Sequence, residues 1–380
     1  MQSSKHILII AGETSGDTHG AGLVAGLREQ DPGLKISGIG GANMESRGME
    51  LLYHVKEISF MGFAEIIRHL PFLKRVRDNL LDWMEQHQPD AVILIDYPGF
   101  NLRFARKIRS TDVPVYYYIS PQVWAWGKGR LRGMGEYLRK MFVIFPFEEQ
   151  LYREHGIPAE FVGHPLVEEI EDQPSKREFF SSVDLNPELP LIGLFPGSRT
   201  QELHRHTDVM LKAWERITGD EERELQACIA LAPDLEYEDS TLAKDHPGIQ
   251  PVRGKTHAVM QHCDIAIVSS GTATLELAYF TTPMVIIYRM NMLSYWIGKL
   301  LVDMPYIGLA NIVAQQQIVP ELIQRDANPD RIAHEVTRFL QDDEYFHEVK
   351  DALGTVKDRL GDPGAGRRVA ESIYTEVYGD

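Results

Sequence analysis

The stretch HILIIAGETSGDTHG, residues 6–20, decides the fold. Its first part, His6–Ala11, is a short unbroken apolar run, the mark of a strand covered on both faces in a parallel sheet. Its second part, GETSGDTHG, supplies glycine, hydroxyl and carboxylate groups where the strand hands over to a helix at about Gly20. The succession recurs along the chain. Apolar runs are expected to form strands at Lys35–Ile39, Ala91–Ile95, Val113–Ile119 and Met141–Phe145. A second series follows at Leu191–Phe195, Leu225–Leu231, Asp264–Val268 and Met284–Tyr288. Longer amphipathic stretches separate them, which is the pattern of βα units wound around a parallel sheet.

Two such series fit the length. At 380 residues the chain exceeds what one hydrophobic core supports, so two doubly wound α/β domains are expected. The polar stretch Glu168–Lys176, with Pro174, reads as the hinge, giving domains at 1–170 and 171–345. Helical spacing continues after Pro329 through Ile332, Val336, Phe339 and Leu340, then through Phe346, Val349, Leu353 and Val356. A last segment, Arg367–Tyr378, follows the breaker GDPGAG, and the helices of 346–380 are expected to pack back on the first domain.

Composition excludes several classes. Apolar residues make up 43% and charged residues 25%, the balance of an ordinary globular protein. Thirty-nine basic against 55 acidic side chains leave a net charge of −16, the wrong sign for a general nucleic-acid binder. The two cysteines, Cys228 and Cys263, lie in no CxxC or His-rich spacing, so neither a disulfide framework nor a zinc site is expected, and a reduced, cytoplasmic setting is. The apolar run Ile7–Ala11 is too short for a signal peptide, and no stretch reaches the ~20 apolar residues of a transmembrane helix.

In open α/β sheets ligands bind beyond the carboxyl ends of the strands, so the strand-to-helix loops are the places to search, and the two sets are expected to face each other across a cleft. In the first loop the glycine spacing is not GxGxxG, which argues against a nicotinamide site. Glu13, Ser15 and Asp17 there suit sugar hydroxyls, the alternative being a helix capped by Ser15 or Asp17. GIGGAN, Gly38 to Asn43, is a tight turn without assigned chemistry. Asp96, directly after AVILI, projects a carboxylate that burial would tune toward a general base; its alternative is a cap on a helix near Phe100.

In the second series LIGLF runs into PGSRTQE. Gly197, Ser198 and Arg199 at a helix start form a pyrophosphate site, against the plainer reading of Ser198 and Glu202 as a capping box. Ser270, Gly271 and Thr272 open another helix with Glu276 one turn inside, placed to accept hydrogen bonds from both ribose hydroxyls. His204 and His206 lie two apart on a helix, on different faces and without a carboxylate cluster, so they read as solvated and the chemistry as independent of metal.

Two apolar segments remain. Met61 to Arg77 interleaves Phe63, Ile66, Ile67, Leu70, Phe72, Leu73 and Val76 with Arg68, Lys74, Arg75 and Arg77, as an interfacial membrane element or as a core helix would. Leu293 to Val313 is equally apolar and reads as core, membrane face or subunit interface.

AGETSGD, IDYPGFNLRFA, YYISPQVWAWGKGR, FPFE, VGHPL, PGSR, SSGTATLELA and NIVAQQQIVPELIQ occur in this order over nearly the whole chain. In this the sequence resembles the bacterial lipid-A-disaccharide synthases, a glycosyltransferase family. The resemblance implies a GT-B hexosyltransferase of two Rossmann-like domains, working without a cofactor or a metal. It implies UDP-2,3-diacylglucosamine as donor and 2,3-diacylglucosamine 1-phosphate as acceptor, joined in a β-1,6 link with release of UDP in lipid A biosynthesis.

It further implies a peripheral enzyme on the cytoplasmic face of the inner membrane, and a homodimer that exchanges C-terminal segments. Carried over residue by residue, Asp96 is the catalytic carboxylate and Glu13 a second acid. Arg199 holds the UDP phosphates, Glu276 holds ribose, and Ser15 and Asn311 lie near sugar. Ala310, Gln315 and Gln316 depart from the family's usual pattern, which puts a positive charge near the donor in doubt. The alternatives are a UDP-N-acetylglucosamine 2-epimerase and a non-catalytic lipid- or nucleotide-binding protein at the membrane.

Overall fold

The computed structural model describes residues 5–59, 63–124, 128–220, 224–232, 246, 248–291 and 304–379. The chain divides into two units, 1–168 with 360–380, and 169–359. The first holds seven strands: β1 (His6–Ala11), β2 (Lys35–Gly40), β3 (Glu50–His54), β4 (Ala91–Ile95), β5 (Val115–Tyr118), β6 (Lys140–Val143) and β7 (Ala159–Phe161). They pair in parallel in the order 3-2-1-4-5-6-7. The second holds β8 (Leu191–Phe195), β9 (Gln226–Leu231), β10 (Ile249–Arg253), β11 (Ile265–Ser269), β12 (Met284–Tyr288) and β13 (Glu321–Ile323), parallel in the order 10-9-8-11-12-13.

Alternate residues of β1 serve opposite cores, which is why the run had to be apolar throughout. Leu8 and Ile10 join Val92, Leu94, Phe104 and Tyr117 on one face. Ile7, Ile9 and Ala11 join Leu23, Val24, Ile93 and Tyr116 on the other. The second face is closed by the last helix of the chain, whose Ala365, Val369, Ala370 and Ile373 lie in that cluster.

The boundary of that return corrects the expectation from sequence. The helix Asp343–Arg359 belongs to the second unit, and only Leu360 onward rejoins the first, so the packing back begins at 360 and not at 346. Val349, Leu353 and Val356 spend their apolar stripe within the second unit. The breaker at Gly361–Gly366 is where the chain changes core. Glu168, the last residue of the outgoing segment, also receives the incoming one: its Oε1 accepts from Gly364 N at 2.8 Å and Ala365 N at 2.5 Å, at the N-terminus of helix Ala365–Tyr378.

The expected strands hold in type, four with identical ends and the rest with ends shifted by at most two residues. β3, β7, β10 and β13 were not anticipated; they are short edge or near-edge strands with polar residues at a third or more of their positions. Of the segment Leu293 to Val313, residues 292–303 lie outside the described ones, while Leu309–Ala314 is a buried helix. His206 is fully buried, which corrects its reading as solvated; His204 is exposed. No helix among the described residues is long and apolar enough to cross a membrane.

The last helix seats against Thr14–Gln30 through glycine. A Cβ on Gly366 would lie 2.6 Å from Leu23 N and 2.7 Å from Gly22 C, backbone atoms that cannot give way. Gly366→Val is therefore expected to destabilise the first unit by about 1–3 kcal/mol, the usual cost of overpacking. Denaturation followed in the first unit checks this, and an unchanged midpoint would show that the helix contact contributes nothing.

Candidate functional site

In the first unit, Ala11 and Ile95 are paired residues at the ends of the adjacent strands β1 and β4. The next residues therefore leave the sheet side by side. Gly12 lies against the ring of Tyr97 so closely that a Cβ there would sit 2.0 Å from Tyr97 Cδ1. Beyond this contact stand Glu13, exposed at the start of helix Thr14–Gln30, and Asp96, half-buried.

Asp96 and Tyr97 both have left-handed backbones, φ 45° and 46°, ahead of a helix that begins at Pro98. Such a conformation costs roughly 1–2 kcal/mol per non-glycine residue and persists only where neighbours over-determine it. Here they do. Asp96 N donates to Tyr118 O at 3.0 Å, while Asp96 O accepts from Asn101 Nδ2 at 2.8 Å and from the Tyr117 hydroxyl at 2.5 Å. Asn101, wholly buried, also donates to Ile95 O at 3.1 Å, and it was not among the expected site residues.

Burial pushes the Asp96 carboxyl up to about 6, the nearby charge of Glu13 adds to this, and the Tyr97 N–H and His19 oppose it. The alternative reading of Asp96 as a helix cap does not hold, because the cap position is taken by Tyr97. Ser15 is exposed on the first turn of the helix after Glu13. Asp17 is buried and accepts from Gly41 N, Asn43 N and Met44 N at 2.7, 3.1 and 3.0 Å, so it caps the short helix Ala42–Ser46 and belongs to the scaffold.

The second unit carries a cavity of about 380 Å³ beyond the carboxyl ends of β8 and β11. Gly197, Ser198 and Arg199 line one part, and Ser270, Gly271, Thr272 and Glu276 another, so the seven residues singled out from two separate loops meet in one space. Phe195, Thr256, Met260 and Tyr288 complete the wall where a flat base can lie. Ser198 N donates to Glu202 Oε2 at 3.2 Å, so half of the expected capping box is present. The Ser270 hydroxyl donates to Ile307 O at 2.8 Å, which fixes the oxygen while leaving it able to accept. Burial, and then the charge of Glu169, push Glu276 up to about 7, and His257 Nε2 stands 3.8 Å from its Oε2.

Asn311 is placed elsewhere. It is fully buried, its Nδ2 donating to Val319 O and Glu321 Oε1 and its Oδ1 accepting from Ile318 N and Val319 N, so its amide is used up in holding its own loop. Gln315 ends that helix with φ 59°, a position that favours glycine. Of the apolar residues at the start of helix Phe63–His87, the side chains of Phe63, Ile66 and Ile67 lie outside the described ones. Leu70 is 43% exposed, while Phe72 and Leu73 pack partly against the core.

Sequence reasoning missed Glu148, although its motif FPFE was in view. The carboxyl is buried, accepting at Oε1 from Ser120 Oγ at 2.6 Å and Trp124 Nε1 at 2.9 Å, and at Oε2 from Phe145 N at 3.1 Å. It gathers the ends of β5 and β6 and the start of the aromatic motif, and the signal was an acid one turn into a helix that follows an apolar strand. Among the described residues no group of three or more His, Cys, Asp and Glu is placed to hold a metal ion.

Comparisons with known proteins bear on this geometry. A family model described as lipid-A-disaccharide synthetase matches residues 7–363. The lipid-A-disaccharide synthase of Syntrophus aciditrophicus (strain SB) is 42% identical over 378 residues, covering 99% of this chain and 98% of the relative. That of Geobacter sulfurreducens is 41% identical over 379 residues with the same coverage, and that of Myxococcus xanthus 38% over 375 residues, 98% of each chain.

Among solved structures, the glycotransferase of kitacinnamycin has a TM-score of 0.67 at 14% identity, covering 98% of each chain. A UDP-GlcNAc 2-epimerase from Neisseria meningitidis bound to UDP-GlcNAc scores 0.64 at 11% identity, covering 97% of this chain and 100% of that one. These likenesses show the fold, GT-B with two Rossmann-like domains, which epimerases and glycosyltransferases share. The sequence match is what separates them, and by it the chain belongs to the lipid-A-disaccharide synthase family.

Proposed function

We propose that the protein transfers a diacylglucosamine unit from its UDP donor to the 6-hydroxyl of 2,3-diacylglucosamine 1-phosphate, forming a β-1,6 link. The observation that carries this reading is Asp96, a half-buried carboxyl held at a strained strand end with its proton affinity raised to about 6. Asp96 takes the proton from the acceptor hydroxyl as that oxygen attacks the anomeric carbon from the face opposite the nucleotide. The new carbon–oxygen bond forms as the bond to the diphosphate breaks, which inverts the configuration. UDP departs with the electron pair.

Arg199 and the backbone N–H groups of the PGSR loop offset the charge that grows on the diphosphate. Glu276 accepts from the ribose hydroxyls, and Ser270 and Thr272 line the same space. The charge of Glu13 beside Asp96 adds to the basicity that burial gives it. Ser15, exposed one turn from Glu13, is assigned to acceptor hydroxyls. No cofactor enters this scheme. Asn311, whose amide is internally satisfied, supports the loop rather than the sugar.

The substrates carry acyl chains, so the enzyme works at a membrane surface, on the cytoplasmic face where nucleotide sugars are found. Leu70 on helix Phe63–His87, exposed beside Lys74 and Arg75 in a chain of net charge −16, supports that helix as the contacting element. Exchange of C-terminal segments between two copies remains part of the proposal.

Asp96→Asn is expected to lower turnover by about 10²–10⁴, the range for loss of a general base, with the affinity for UDP unchanged. Because the base acts deprotonated, wild-type turnover at saturating substrates should rise as pH passes upward through about 6 and then level. Full activity in the Asn variant, or a flat profile, would remove Asp96 from this role.

Arg199→Ala should weaken UDP binding roughly 10- to 100-fold, as expected for a charge-assisted hydrogen bond, measured by titration calorimetry. UDP bound as tightly as by wild type would place the diphosphate elsewhere. Leu70→Glu should reduce flotation with vesicles containing anionic lipid while leaving UDP affinity intact; undiminished flotation would assign the membrane contact to another surface.

A further inference from the structure

The buried His206 is the feature of the second unit that neither the sequence pattern nor the proposed chemistry absorbs. It lies on the helix Thr200–Asp220, and both of its ring nitrogens have partners. The backbone N–H of Arg289 can only donate, so Nε2, 3.1 Å away, accepts and carries no proton. The ring's proton then sits on Nδ1 and is donated to the carbonyl of Pro196 at 2.9 Å. Burial favours the neutral ring, as does the charge of Arg205, against the opposing pull of the Pro196 carbonyl and the Glu202 carboxylate. One neutral tautomer satisfies this site.

The two groups it joins belong to different strands. Pro196 follows β8 and opens the loop that carries Gly197, Ser198 and Arg199. Arg289 follows Tyr288, the last residue of β12, which lines the same cavity and whose ring lies 5.8 Å from the imidazole. In the sheet order 10-9-8-11-12-13, β11 stands between β8 and β12, so no ladder hydrogen bond joins their ends directly. Arg289 is itself fixed, its Nε donating to Ala327 O at 2.9 Å.

We infer that His206 is a positioning residue: its Nδ1–H, the tautomer fixed by the Arg289 N–H, holds the Pro196 carbonyl and so sets the height of the diphosphate-binding groups in the cavity. It touches no substrate and acts through Pro196. The inference rests on the reading of that cavity as the UDP site, and it deepens it.

Two measurements test it. In protein labelled with ¹⁵N-histidine, the His206 signals, identified by their loss in His206→Asn, should report a neutral ring protonated on Nδ1 at pH 7. A ring protonated on Nε2, or doubly protonated, overturns the inference. Asparagine places its amide N–H near the position of Nδ1 and keeps the donor to Pro196, whereas glutamine reaches only as far as Nε2. UDP dissociation constants should therefore stay within about threefold of wild type in His206→Asn and rise about tenfold in His206→Gln, the size of one lost buried hydrogen bond.

The acceptor KM should be unchanged in both variants. Equal UDP affinities in the two, or the reverse order, overturn the positioning role even where both fold less stably, because a general loss of packing would not separate them. Wild-type protein that shows the Nδ1–H ring but binds no UDP overturns the reading of the cavity, and the loop's role with it.

Discussion

Everything in each unit follows from one constraint, that parallel strands can be joined only by crossovers which cover both faces of the sheet. The central strands are therefore almost wholly apolar; His6 of β1 and Ser37 of β2 are buried polar exceptions, and they meet each other at 2.9 Å. Ile7 to Ala11, Ala91 to Ile95 and Leu191 to Phe195 are buried from end to end, every side chain apolar and position 193 a glycine. The first place at which the chain can present a carboxylate, hydroxyl or guanidinium is the residue after the strand. Glu13, Asp96, Ser198 with Arg199, and Ser270 all stand within four residues of a strand end. The chemistry lies where the apolar requirement stops.

That constraint also determines how accurately the groups are held. A loop alone would leave Asp96 free to turn, but the register that pairs Ala11 with Ile95 brings Gly12 under Tyr97, and the buried Asn101 ties the ends together. The left-handed pair at 96 and 97 is then the geometry that remains when the two strand ends, the Tyr117 hydroxyl and the helix from Pro98 are all satisfied. Strain of this kind is tolerated because the core beneath it is apolar and closely packed. In the second unit the loop after β8 has no strand pairing of its own beyond Phe195, and the inferred hold on it is the buried His206 at the Pro196 carbonyl.

The sequence was legible wherever one signal was strong enough to stand alone. Continuous apolar runs located the central strands, and glycine with hydroxyl residues after a strand located seven residues that share one cavity. Edge strands were not legible, because β3, β7, β10 and β13 have mixed composition and form only through their neighbour in the sheet. The two-domain reading held, but the return point did not: the apolar stripe of residues 346–356 is the same whichever core it faces, and only the contacts decide.

His206 and Asn311 mark the opposite limit. A polar residue on an amphipathic helix reads as solvated or as a ligand, and burial with every polar atom satisfied depends on partners 7 to 83 residues away in the chain.

Three carboxyls have proton affinities raised by burial, Asp96 to about 6 and Glu148 and Glu276 to about 7, so perturbation alone does not identify the base. Their oxygens do. Glu148 is enclosed, with Ser120 and Trp124 on one oxygen and the Phe145 N–H on the other; a carboxyl so occupied can organise a loop but cannot reach a substrate. Glu276 lines an open cavity beside hydroxyl-bearing residues and the PGSR loop, where the role proposed for it is accepting from ribose. Asp96 alone combines partial exposure, a backbone fixed on three sides and a neighbouring acid that raises its basicity without competing for the same donors. A base must be both hard to ionise and accessible to a substrate proton, and of the three only the carboxyl at the end of β4 meets both conditions outside the unit to which the diphosphate is assigned by the proposal.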